Sequence, residues 1–117
     1  MTSPPIAFTP ALVRRRLGLR APASFPVAAF DGRSVEQCWA VELSSTGIVL
    51  ERGGAERELR GVVRLRMFLP GTSEPIRAVA RAVRSDGPRH ALTFIGISDA
   101  DRLTISEALD RELGYAR

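Results

Sequence analysis

Four of the seventeen arginines stand together near the start of the chain, Arg14, Arg15 and Arg16 in one run and Arg20 four residues after Arg16. A guanidinium is planar and permanently charged. It can grip a phosphate or the O6/N7 edge of a guanine with two parallel hydrogen bonds, and it can stack on a base. Two such groups spaced R-x-x-x-R on a loop can hold opposite sides of one nucleotide-like anion. A second polar group follows farther on, Glu42-Leu43-Ser44-Ser45-Thr46-Gly47. It combines a carboxylate acceptor, a hydroxyl that both donates and accepts, and a glycine that lets backbone come close.

Composition alone carries little of this argument. The chain has no lysine, so arginine fills every basic position, the habit of a GC-rich genome; with thirteen acids the net charge is +4. Position is what distinguishes the first cluster. The same spacing recurs at Arg60/Arg64 and Arg77/Arg81, on or near strand-like runs where the residues read as solvated surface charge.

The other reactive side chains point away from catalysis. Cys38 is the single cysteine and His90 the single histidine, which excludes an internal disulfide and leaves too few ligands for a cysteine-built zinc site; a reducing cytoplasm is the expected location. His90, after Pro88-Arg89, is expected at a surface or turn. Cys38 reads as a small strand residue and Trp39 as packing against a barrel wall. No G-x-S-x-G surrounds Ser44, no Walker or Rossmann glycine pattern occurs, and Asp99-Ala100-Asp101 lacks the longer ligand series of a calcium loop. The expectation is a binding protein with no enzymatic activity, no metal and no cofactor. No apolar run approaches the ~20 residues of a spanning helix, and Met1 to Pro5 carry no export pattern.

At 117 residues, 44% hydrophobic and 26% charged, the chain suits one folded domain. Residues 1–13, with Pro4, Pro5 and Pro10, read as an extended or mobile arm, and residues 14–117 as the domain. From Ser24 onward short β-like runs alternate with turn signals. They are Ser24 to Phe30, closed by Asp31-Gly32; Val35 to Leu43; Gly47 to Glu51, closed by Gly53-Gly54; Val62 to Leu69; Ile76 to Arg84; and His90 to Ile97. The cleanest alternation puts Val63, Leu65, Met67 and Leu69 on one face and Arg64, Arg66 and Phe68 on the other. Ser98 then caps a helix with Asp99 and Asp101 in its first turn, Ile105, Leu109 and Leu113 at helical spacing, and Gly114 as its stop. Six strands and one terminal helix without a βαβ pattern predict an all-β fold, a six-stranded antiparallel barrel with a C-terminal α-helix.

This layout resembles the PilZ family of bacterial cyclic di-GMP receptors. The resemblance rests on Arg16-x-x-x-Arg20 just before the first strand and on Glu42-x-Ser44-x-x-Gly47 where the family reads Asp or Asn, x, Ser, x, x, Gly. It extends through Ala21-Pro22-Ala23-Ser24-Phe25-Pro26-Val27 and Leu92-Thr93-Phe94, so that Arg14 to Leu113 can be laid against the family plan. Two positions depart from it. Glu42 replaces Asp or Asn, moving the carboxylate oxygens by ~1.5 Å. Ala91 stands where the family commonly has a glycine three residues before the phenylalanine.

The resemblance implies cyclic di-GMP as ligand, held by Arg15, Arg16 and Arg20 from the leader and by Glu42, Ser44 and Gly47 from the strand end. The carboxylate would take the guanine N1 and N2 donors, and the serine a phosphate or base. It also implies a protein partner in motility, secretion or surface behaviour. The alternative is a degenerate member that binds no nucleotide and acts only through protein contacts. Nucleic acid is not expected as a partner, because exposed aromatics should interleave the charges for base stacking, and the phenylalanines fall mostly at strand positions expected to be buried.

Overall fold

The computed structural model describes residues 21–52 and 59–112. The expected arm, the Arg14 to Arg20 loop, the Gly53-Gly54 stop and the Leu113-Gly114 helix end lie outside the described residues.

Six strands form a closed antiparallel barrel in the order β1-β2-β3-β6-β5-β4. They are β1 (Ala21–Phe30), β2 (Val35–Leu43), β3 (Gly47–Glu51), β4 (Val62–Met67), β5 (Ile76–Asp86) and β6 (Arg89–Ile97), followed by helix α1 (Asp99–Glu112). The expected architecture is therefore the observed one. Strand ends differ by a few residues: β1 starts at Ala21 where Ser24 was expected, β4 stops at Met67, and β5 runs on to Asp86. The early start of β1 comes from pairing of Ala21 and Pro22 with Leu43 and Glu42, a tertiary match that local sequence does not announce.

Alternation builds the core. Val63, Leu65 and Met67 of β4 turn inward with Ile76, Ala78 and Ala80 of β5 and Val27 and Ala29 of β1. The β1–β2 hairpin turns at Gly32, whose φ of 97° suits glycine, while the Asp31 carboxylate accepts from the amides of Arg33 and Ser34. Ser98 caps α1 as expected, its Oγ accepting from Asp101 N at 3.1 Å. Ile105 and Leu109 of the helix are buried in the same apolar cluster as Ala21 and Phe25 of β1.

Three expectations need correction. Trp39 flanks the inward-facing Cys38 and Ala40, so it lies on the outer surface, 46% exposed, its indole Nε1 donating to Ser24 Oγ at 3.1 Å. His90 shares the inward parity of Leu92 and is buried, with Nδ1 2.8 Å from Ser85 Oγ. Of the phenylalanines, Phe25 is buried and Phe94 half-buried, but Phe30 and Phe68 are exposed, with the Arg66 guanidinium 5.8 Å from the Phe68 ring centroid.

Candidate functional site

The β2–β3 corner carries Glu42, Ser44 and Gly47. The Ser44 side chain is buried, and its Oγ accepts from Thr46 N at 3.1 Å and Gly47 N at 3.0 Å. Ser44 N donates to Gly47 O, and Phe94 N of β6 donates to Thr46 O at 2.8 Å. A serine here thus folds the turn upon itself and ties it to the neighbouring strand. Gly47 is required by space: a Cβ on it would lie 2.3 Å from the Leu92 carbonyl oxygen. The close approach expected at this glycine is made by β6.

Glu42 stands apart from this closed turn. Continuing the inward sequence of Cys38 and Ala40, it would point into the barrel. An irregularity between Ala40 and Glu42 shifts the parity, so Leu43 turns inward and Glu42 faces out. There it pairs with Val49, Val49 with Ala91, and Ala91 with Arg84. Arg84 owes its place to a second irregularity, between Ala82 and Arg84. The four side chains form one row across the outer wall, a carboxylate at one end, a guanidinium at the other, and two small apolar groups between.

With Asp86 and Arg89 they line a depression of 170 Å³, below the ~300–1,000 Å³ of a small-molecule cleft. Among the described residues it is a shallow wall. Both departures from the family pattern, Glu42 and Ala91, fall on this row. Sequence spacing could not bring them together, because the two bulges that align them leave no mark in composition.

Arg15, Arg16 and Arg20 lie outside the described residues. The residue to which Arg20 is joined, Ala21, pairs with Leu43, next to Ser44, and Pro22 pairs with Glu42.

Elsewhere, the described residues hold no group of three metal-ligating side chains. Cys38 is buried, and burial pushes its thiol up to about 11, with the nearby Arg52 guanidinium opposing and Glu36 reinforcing the rise. It is a protonated core thiol at neutral pH. Arg52, which the sequence reading missed, is buried beside it and ion-paired with Glu36; its inward parity with Ile48 and Leu50 was the available signal. No helix among the described residues is long and apolar enough to cross a membrane.

No family model matches the chain, and no curated protein matches it in sequence. Solved structures do. The Bacillus subtilis inhibitor of motility, MotI/DgrA, aligns with a TM-score of 0.69 at 20% identity over 88% of this chain, which spans only 54% of that protein's length. The PilZ domain of CeSA from a cellulose-synthesizing bacterium aligns with a TM-score of 0.59 at 20% identity, over 84% of this chain and 98% of that domain. With the strand order and terminal helix described above, this likeness makes the chain a PilZ-like domain in fold.

Proposed function

We propose that the chain is a cyclic di-GMP receptor module that signals to a protein partner from the cytoplasm and has no enzymatic activity. The observation that carries this reading is the pairing of Ala21 with Leu43. Ala21 directly follows Arg20 in the sequence, so the basic run Arg14 to Arg20 leads into the strand that pairs with the Glu42 end of β2. In this reading the arginines clamp phosphate and guanine, Glu42 receives guanine N–H donors, and Ser44 and Gly47 keep the corner in the shape that admits the ligand. The likeness to an inhibitor of motility supports an output on motility or related surface behaviour.

A second reading, a module that has lost the nucleotide and keeps only its protein partner, is favoured by one observation. Glu42 and Ala91 add a methylene and a methyl to the same row, where the family has the smaller residues.

Isothermal titration of cyclic di-GMP into the full chain and into Glu42→Asp/Ala91→Gly separates the two. The receptor reading expects a Kd on the order of 10 μM or tighter for the natural chain and tighter binding for the double variant. Binding by the double variant alone supports the second reading, and binding by neither overturns the receptor proposal.

A further inference from the structure

A hollow of 610 Å³ lies away from the corner, on the outer wall of β1, β4, β5 and the end of β6. Its volume falls within the ~300–1,000 Å³ of a ligand cleft. Register explains it. Val35 pairs with Phe30, Phe30 with Arg64, Arg64 with Val79, and Val79 with Gly96. Gly96 contributes no side chain, so this row ends in a trough, bordered by Ile97. The adjacent row runs from Ala28 to Arg66 to Arg77.

The trough thus has an apolar floor, with Phe30 38% and Val35 62% exposed, and three guanidiniums on its walls. None of its lining residues is acidic. Among the described residues, Arg64, Arg66 and Arg77 form no ion pair. Three cations on one apolar face repel one another and await a counter-charge.

We infer that this trough docks an acidic segment of a partner protein that carries apolar side chains. Charge complementarity selects the occupant. Residues 1–20 and 113–117 do not qualify, because none of them is an aspartate or glutamate. Closure of the barrel leaves only short strand ends paired on one side among the described residues, such as Val35–Cys38 of β2 and Ile95–Ile97 of β6, which is little edge for strand addition. Recognition is therefore assigned to side chains, apolar groups of the partner filling the floor and carboxylates meeting the arginines. The floor is mainly aliphatic, with Phe30 the single aromatic in the lining, which disfavours successive base stacking by a single-stranded nucleic acid. The inference does not depend on cyclic di-GMP binding, and its test contains no cyclic di-GMP.

The experiment is a display selection of random peptides of about 12 residues on the immobilised full chain, followed by affinity measurement on the wild type and on Arg64→Glu/Arg77→Glu. An oligothymidine and vesicles of phosphatidylglycerol serve as competing anions. The expected result is enrichment of Asp and Glu together with Leu, Ile or Phe, and an affinity loss of about tenfold or more in the charge-reversed variant. Amide shifts on peptide addition should centre on Val79 and Gly96, and a second variant, Val79→Glu, should reproduce the loss. Failure to select any peptide, selection without acidic enrichment, affinity indifferent to these substitutions, or capture of only the oligonucleotide or the vesicles overturns the inference.

Discussion

The β2–β3 corner and the arginine-lined trough occupy different parts of the barrel's outer wall and are held in opposite ways. At the corner, Ser44 is buried with its hydroxyl engaged by two amides, and Gly47 has the Leu92 carbonyl where a side chain would be. In the trough, Arg64, Arg66 and Arg77 extend into solvent over exposed apolar groups. The difference separates two meanings of a site residue. Ser44 and Gly47 cannot be changed without disturbing the fold, so loss of function on their mutation says little about contact with ligand. Trough residues can be changed at little structural cost, so any loss there reports on contact.

The largest effect should come from Gly47→Ala. Overpacking against the backbone of β6 is expected to cost about 3 kcal/mol, read as a lowered urea midpoint with unchanged slope; a cost below ~0.5 kcal/mol would mean that the corner is more open than the 2.3 Å approach implies. Next is Ser44→Ala, which leaves the amides of Thr46 and Gly47 without their side-chain acceptor and should cost about 2 kcal/mol. Ser44→Thr should recover part of that loss; equal stability of the alanine variant and the wild type would remove the hydroxyl from the account.

A pH effect tests whether the wall beneath is shut. The Cys38 thiol is raised by burial to about 11 from 9.0, so above pH 9 the unfolded chain releases a proton that the folded chain retains. Stability should therefore fall as pH rises between about 9 and about 11, and Cys38→Ala should flatten that slope. An unchanged slope in the alanine variant would show that the thiol is not the titrating group. The smallest effect is expected from Arg64→Glu/Arg77→Glu, within ~0.5 kcal/mol of wild-type stability while peptide binding is lost. A large destabilisation there would erase the contrast between the two regions.

Much of the barrel was legible from alternation and turn chemistry. β4 reads as a half-buried strand because Val63, Leu65 and Met67 alternate with arginine, and the structure buries those three. The outward position of Trp39 and the inward position of His90 follow from the parity of their neighbours, which residue type alone hides. The row from Glu42 to Arg84 was not legible at all. Two bulges create it, each reversing the side on which a residue emerges, and bulges are set by cross-strand fit. The trough likewise joins Val35, Phe30, Arg64, Val79 and Gly96 through register alone. Arg77, read from spacing as surface charge, is indeed exposed, but its neighbours across the sheet give that charge a context the spacing lacked.

The most direct test of the receptor proposal is an amide-shift titration of the labelled full chain with cyclic di-GMP. The account predicts saturable shifts at Glu42, Val49 and Ala91 with Val79 and Gly96 silent. Shifts confined to the trough, or no shift anywhere at millimolar nucleotide, would contradict it.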